Sequence, residues 1–249
     1  MIDAHAHLSS ESDVGSILDR ASQAGVVAVV NVCTTAAELE RGLRLSEECT
    51  VPKIYTVAST TPHDASRESP EFFNLIEANA DRLSAIGETG LDYYYEHSPK
   101  KAQQALFQTY IDLAVRLKKP LVIHCRDAFD DLFAILDEQR TVPPIMLHCF
   151  TGSMSEAKKA QDRGFYLSMS GIVTYPKSTL LQEVAAQIPS ELLLVETDSP
   201  YLAPQSRRGK KNEPAYLKET VTFLAALRKV SVDDLVRETS MNAKKLFVL

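Results

Sequence analysis

Eight short runs of apolar, mostly β-branched residues recur along the chain, each pair separated by enough residues for one helix. The runs are Ile2–His7, Val26–Val32, Ile54–Ser59, Leu83–Glu88, Leu121–Cys125, Ile145–Cys149, Tyr166–Ser170 and Leu192–Thr197. They are nearly continuous rather than alternating, as expected for strands covered on both faces in a parallel sheet. The intervening segments carry helical period and helix punctuation. Ser69-Pro70 and Ser98-Pro99 each read as an N-cap followed by proline at the first helical position. Leu106, Tyr110, Leu113 and Leu117 form one apolar stripe, and Lys118-Lys119-Pro120 ends that helix. Ser153-x-x-Glu156 is a capping box, Gly164 sits where a C-terminal glycine belongs, and Ser231-x-x-Asp234 opens the last helix. Eightfold strand–helix alternation predicts an α/β fold, a (β/α)8 TIM-type barrel. A doubly wound open sheet shares the periodicity. The count of eight and the length of 249 residues favour closure, with residues 1–249 as a single domain.

Composition narrows the function classes. The net charge of -6 argues against a broad electrostatic surface for nucleic acid, though not against a local basic patch. The one basic stretch is Ser206-Arg207-Arg208-Gly209-Lys210-Lys211-Asn212, after the eighth run. Cys33, Cys49, Cys125 and Cys149 form no CxxC pair and read as reduced thiols of a cytoplasmic protein. Asp3 and two histidines interrupt any signal-peptide pattern, and the early apolar run from Gly25 to Val30 is too short to span a bilayer, so no membrane partner is expected. The expected assembly is a monomer or weak oligomer.

The chemistry lies at the ends of the runs, because a (β/α)8 barrel places its active site at the C-terminal ends of its strands. The first run ends in His5-Ala6-His7, and period-2 alternation turns both imidazoles to one side. The fourth ends at Glu88, the fifth at His124-Cys125-Arg126, the sixth at His148-Cys149 and the eighth at Glu196-Thr197-Asp198. Four imidazoles and two carboxylates converging over one mouth are a ligand set for one or two divalent ions. Glu88, whose two oxygens can each take one metal, is the expected bridge. His5, His7 and Asp198 would hold one ion, and His124 and His148 the other. Alternation turns the thiols of Cys125 and Cys149 toward the helix layer. Glu196 reads either as an acceptor for a ligating imidazole or as an ion-pair partner. No GxGxxG, Walker A, GxSxG or HExxH pattern competes.

These motifs resemble one known family across almost the whole chain. Ile2–Leu8 (IDAHAHL), Ile86–Asp92 (IGETGLD), Val122–Ala128 (VIHCRDA), Leu147–Ser153 (LHCFTGS), Glu196–Tyr201 (ETDSPY), Arg208–Pro214 (RGKKNEP) and Asn242–Phe247 (NAKKLF) are similar to those of the TatD family of metal-dependent deoxyribonucleases. The resemblance implies an amidohydrolase-type barrel with a two-metal centre, zinc- or magnesium-dependent, ligated by His5, His7, Glu88, His124, His148 and Asp198. It also implies 3'→5' exonuclease action on single strands, with nucleic acid, most of all single-stranded DNA, as the partner. One departure is visible. Where the family often shows Gly-x-His-Pro after the third strand, Thr61 stands at the histidine's place and His63 lies two residues on.

The expected reaction is phosphodiester hydrolysis with zinc, magnesium or manganese. Glu88 and Asp198 are the catalytic carboxylates, Asp198 orienting the attacking water and taking its proton. Arg126 is either a phosphate donor or a salt-bridge partner of Asp127 or Asp92. Asp92, in the strand-4 motif, is counted among the substrate contacts. Arg207, Arg208, Lys210 and Lys211 form either a phosphate-binding rim or a solvated charge run. Tyr93, Tyr94 and Tyr95 would either stack an unpaired base or pack within their loop. A metallohydrolase acting on an ester, amide or lactone is the alternative, and a non-enzymatic metal-binding protein a third.

Overall fold

The computed structural model describes residues 1–249. The elements alternate from end to end. They are β1 (Ile2–Ala6), α1 (Val14–Gln23), β2 (Ala28–Cys33), α2 (Ala36–Glu48), β3 (Lys53–Ala58), α3 (Pro70–Ala78), β4 (Leu83–Asp92), α4 (Lys100–Leu117), β5 (Leu121–Arg126), α5 (Phe129–Asp137), β6 (Ile145–Leu147), α6 (Met154–Asp162), β7 (Tyr166–Met169), α7 (Thr179–Gln187), β8 (Leu193–Val195), α8 (Leu217–Arg228) and α9 (Val232–Phe247). The strands are all parallel and lie in sequence order. The sheet curls until β1 meets the end of β8. Ala6 bridges Ser199, the His7 amide donates to the Ser199 carbonyl at 2.7 Å, and the Asp198 amide donates to the His5 carbonyl at 2.9 Å. This is the (β/α)8 barrel expected, with no helix long and apolar enough to cross a membrane.

Two apolar layers hold it together. Ile2, Ala4, Val30, Val57, Ala85, Val122, Met146, Tyr166 and Leu194 come from all eight strands and pack in one cluster, which only the barrel lumen allows. The last turn of α9 closes that cluster from below with Ala243, Leu246 and Phe247. Asn242 pins α9 there, donating to the carbonyls of Ser190 and Leu193 at 2.7 and 2.8 Å. The larger cluster lies between the strands and the surrounding helices and includes Phe107, Tyr110, Leu132 and Phe150.

The caps at Ser69, Ser153 and Ser231 form as expected. Ser98 does not cap. Its hydroxyl donates to the His63 carbonyl at 2.8 Å and accepts from the Ser66 amide at 3.1 Å, so α4 begins at Lys100 behind Pro99. The strand boundaries shift where the site is built. β4 runs four residues past Glu88, whereas β6 and β8 stop before His148 and Glu196.

Candidate metal centre

β1, β4 and β5 and the first residues after β6 and β8 bring His5, His7, Glu88, His124, His148 and Asp198 to one place. His5, His7, Glu88 and Asp198 come to the mouth by local devices. β1 and β4 carry register shifts, between Asp3 and Ala6 and between Ile86 and Thr89. Asp198 takes a left-handed conformation, φ 55°, which swings its side chain inward after β8 has ended.

Their atoms form two groups that share Glu88. In the first, His5 Nε2 lies 3.3 Å from His7 Nε2, 3.4 Å from Glu88 Oε2 and 3.7 Å from Asp198 Oδ1. His7 Nε2 lies 3.6 Å from Glu88 Oε2 and 3.5 Å from Asp198 Oδ1. In the second, Glu88 Oε1 lies 2.9 Å from both His124 Nδ1 and His148 Nε2, and these nitrogens are 3.1 Å apart. Donors bound at about 2.1 Å to one tetrahedral ion stand about 3.4 Å apart, so the first group has the spacing of a coordination shell. Asp198 Oδ1 is buried without any hydrogen-bond donor, as an oxygen awaiting a cation would be. The donor set, nitrogen and carboxylate only, fits a divalent metal.

Charge balance in the cluster follows from burial and contact. Burial alone would raise the Glu88 pKa, but His148, His124 and His5 outweigh it and hold the carboxyl well below its ordinary value. Asp198 is lowered in the same way, burial being overcome by His7, His5 and His148. Burial pulls the His148 imidazole down while Glu88 and Glu196 push it well above its ordinary value, and His124 and His7 are also raised against burial, by Asp92 and Glu88 and by Asp198 and Glu88. Only His5 is lowered, by burial and by His148, whose ring stacks on it at 3.9 Å.

A supporting layer stands behind these donors. Asp92 is fully enclosed, with Oδ2 2.9 Å from His124 Nε2 and Oδ1 accepting the amides of Tyr94 and Tyr95 at 3.0 and 2.8 Å. β4 continues past Glu88 and carries Asp92 inside the wall against His124, not into the cavity where a substrate contact is expected. Gln103 locks it, accepting from the Asp92 amide at 2.7 Å and donating to the Asp92 carbonyl at 3.0 Å. Glu196 Oε1 accepts the Cys149 amide at 2.7 Å and lies 3.4 Å from His148 Nδ1. Asp3 accepts the Thr197 amide at 2.9 Å and the Thr197 hydroxyl at 2.6 Å, which clamps β1 to the segment bearing Asp198. Asn212, in the basic loop, donates to the carbonyls of Thr197 and Tyr201 at 2.8 and 2.6 Å. Asp3, Gln103 and Asn212 escaped the sequence reading. Only Asp3 carried a signal, as the acid two residues before His5.

Above the donors opens a cavity of about 770 Å³. Arg126 lies in its wall with the guanidinium carbon 3.9 Å above the Tyr94 ring and 4.8 Å from that of Tyr95, and it pairs with neither Asp127 nor Asp92. Tyr94 and Tyr95 line the cavity, but Tyr93 does not. Its hydroxyl donates to Asp131 Oδ2 at 2.7 Å, toward α4 and α5, so Tyr93 does not stand where the expected substrate contact would be made. Cys149 also lines the cavity, with φ 41°, because β6 ends at Leu147 and alternation no longer governs it. Cys125 packs in the outer core, as expected, yet it too borders the cavity. Thr61 and His63 both reach the cavity, and His63 Nε2 lies 3.8 Å from Asp92 Oδ2. The basic loop stays outside it. Arg207 pairs with Glu219 at 3.3 Å, Lys211 with Glu11 at 2.6 Å, Arg208 lies 4.3 Å over the Tyr175 ring, and Lys210 is exposed. Arg208 and Lys210 can therefore meet only a chain that extends beyond the mouth.

The family model described as TatD related DNase matches residues 2–248. The chain belongs to this TatD-related family. It is 36% identical over 255 residues to an uncharacterized metal-dependent hydrolase, YabD, of Bacillus subtilis, covering 99% of this chain and 98% of that one. It is 35% identical over 258 residues to the 3'-5' ssDNA/RNA exonuclease TatD of Salmonella typhimurium, at 99% and 98% coverage. The solved structure of YJJV, a TatD homologue from Escherichia coli K12, superposes with a TM-score of 0.93 at 27% identity, covering 100% of this chain and 98% of that one. This TatD-family barrel is thus a metal-dependent hydrolase, and it holds groups of side chains able to bind a metal: His5, Glu88 and His148; His5, His7 and Asp198; and His63, Asp92 and His124.

Proposed function

We propose that the chain is a divalent-metal-dependent deoxyribonuclease that removes nucleotides 3'→5' from single-stranded DNA, with two ions in the mouth. The observation that carries this reading is the division of Glu88, with Oε1 facing His124 and His148 and Oε2 facing His5 and His7. His5, His7 and Asp198 would hold one ion and His124 and His148 the other, with Glu88 between them. Zinc, manganese and magnesium are the candidates for such donors. Bound there, the ions supply a water nucleophile at neutral pH and positive charge beside the phosphoryl oxygens. The chain's own residues do the rest. Asp198, ionised and aimed into the mouth, orients the water and accepts its proton. Asp92 and Glu196 hold His124 and His148 in the required ring orientation. Arg126 offers a guanidinium fork to an anionic group entering the cavity.

The name of the Salmonella relative supports nucleic acid as the substrate class. The donors would equally serve an ester, amide or lactone, but an unpaired guanidinium in the cavity wall favours an anionic substrate. An open cavity over the donors speaks against a merely structural ion site. We read the protein as one domain over residues 1–249, cytoplasmic, and monomeric or weakly oligomeric.

The test is an assay of purified protein with magnesium, manganese or zinc on short labelled DNA and RNA strands. The expected result is a ladder shortened from the 3' end, absent in Asp198→Ala. Intact strands with all three metals, together with turnover of an aryl ester, would move the activity to the ester class.

A further inference from the structure

The rim of the mouth carries a cation and a fixed carboxylate at separate places. Strands follow each other around the barrel in sequence order, so β4 and β5 stand across the lumen from β8 and β1. The rim after β4 and β5 carries Tyr94, Tyr95, Arg126 and Asp127, with the Arg126 cation lying on an aromatic bed and unpaired with Asp127. Tyr201, from the segment after β8, stands on the opposite rim, and Thr34 and Glu38, from the turn after β2 and the start of α2, stand on the rim between. All of these line the same cavity, with the metal donors between them.

The Glu38 carboxylate is built into place. Its Oε2 accepts the Thr34 amide at 2.8 Å and the Thr34 hydroxyl at 3.0 Å, while its other oxygen has no partner. The cations of that side are committed elsewhere. Arg41 donates to the Ser9 carbonyl at 3.0 Å, and Lys211 pairs with Glu11 at 2.6 Å. Tyr201 is 60% exposed, with its ring 5.9 Å from that of His7. A flat aromatic ring suits an unpaired base, and a fixed carboxylate repels a phosphate.

We propose that Glu38 and Tyr201 form a stop for the substrate chain, a rim that seats a terminal nucleoside on Tyr201 and turns away any further phosphate, while the rest of the strand leaves over Arg126. This rests on the phosphodiesterase reading and names the residues that would make the site act on chain ends. Arg126 accepts the phosphate next to the scissile one, and Glu38 leaves no place for a phosphate on the other side. The preferred substrate is then a single strand whose attacked end carries a hydroxyl.

Two strands of one sequence decide it, one with hydroxyls at both ends and one with phosphates at both ends. The parent protein should cleave the hydroxyl-ended strand at least about tenfold faster, as expected where a like charge is excluded. Glu38→Lys should erase that ratio. Glu38→Gln, which keeps an acceptor for the Thr34 amide, should reduce it partway. Tyr201→Ala should raise KM for the hydroxyl-ended strand more than it lowers kcat. A ratio near one in the parent, or a ratio unchanged in Glu38→Lys, overturns the proposal. Calorimetric titration of the Asp198→Ala protein with a thymidine dinucleotide bearing hydroxyl or phosphate ends gives the same comparison without turnover. If the parent cleaves neither strand, the nuclease reading fails, and the calorimetric ratio still decides the rim.

Discussion

Gly90 stands directly opposite His124 in the β4–β5 ladder, with φ 134°. A β-carbon there would lie 2.1 Å from the His124 carbonyl oxygen and 3.1 Å from its carbonyl carbon, where ordinary contact begins at 3.4 Å. Gly90→Ala must therefore push β5 back by 3.4 minus 2.1, about 1.3 Å, because the obstacle is backbone rather than a side chain that could rotate away. An L-residue held in that region of φ costs about 1–3 kcal/mol. Overpacking against a fixed strand adds about 1–3 kcal/mol. Together they remove about 4 kcal/mol from a total on the order of 5–15 kcal/mol. The same shift carries the His124 imidazole away from Glu88 Oε1, now 2.9 Å distant, so the ion at His124 and His148 should be lost with the stability. Urea denaturation followed by circular dichroism reads the first effect, and metal content after dialysis reads the second. Gly164→Ala is the control. Gly164 has φ 72° but open space around it, so alanine there should cost about 1–2 kcal/mol and leave the metal content alone. A Gly90→Ala protein within about 1 kcal/mol of the parent, carrying as much metal, would refute the reasoning.

Three further outcomes follow from the site. Glu88→Gln keeps the shape but removes the charge that faces both donor groups, so metal content should fall and cleavage drop by about 10³ or more. Parental stoichiometry by mass spectrometry would contradict this. Asp92→Asn leaves His124 without its carboxylate, and metal affinity should weaken about 10–100-fold with little change in fold. An unchanged titration curve would count against Asp92 as the orienting group. The imidazoles of His7, His124 and His148 are raised above the ordinary 6.5, so in the metal-free protein they stay protonated past that pH. Their contribution to metal-free stability is present below 6.5 and lost as pH rises through the raised values. Ion affinity should run the other way, climbing with pH beyond 6.5 as protons are displaced. Calorimetry at pH 7 in buffers of different ionisation heat should detect released protons, and none released would contradict the assignment.

Much of this was legible because barrels concentrate chemistry at strand ends. The eight runs could be counted, and His5, His7, His124 and His148 each stood at the end of one. What was not legible depends on contacts between segments distant in sequence. Gln103 looks like any polar residue on α4, and nothing nearby says that it closes on Asp92 eleven residues before it. Asn212 hides in a run of positive charge, yet its task is to hold the segment bearing Asp198. The three successive tyrosines could not be told apart, because the turn after Asp92 decides which faces the mouth, and Asp92 makes that turn by accepting the amides of Tyr94 and Tyr95. Ser98 carried a correct capping signature but was diverted by a stronger demand, the tie to His63 and Ser66.

The strand faces show why period-2 reasoning reached the right ligands on β1 and β4 by an incomplete route. On β5 and β6 alternation reaches as far as the donors. Val122 fills the lumen and His124, two residues on, faces the mouth, as do Met146 and His148. On β1 the lumen residues are Ile2 and Ala4, so strict alternation would send His5 and His7 outward into the helix layer. On β4 the lumen residue is Ala85, so strict alternation would likewise turn Glu88 outward. Each strand carries a register shift at that step, three residues against two of its neighbour, between Asp3 and Ala6 and between Ile86 and Thr89. A bulge of one residue reverses every face beyond it. The two strands that would otherwise bury three of the six donors among apolar helices are thus the two that are bulged, and each bulge falls at a donor, His5 in one and Glu88 in the other. A packed lumen below and a polar centre above need opposite parities on β1 and β4, and the bulges reconcile them. Deleting one residue at either bulge should therefore leave the hydrophobic lumen able to form while turning the donors out of the mouth. Metal content should collapse in such a deletion while far-ultraviolet circular dichroism persists, and a protein that kept its metal would show that the bulges are not what sets the face.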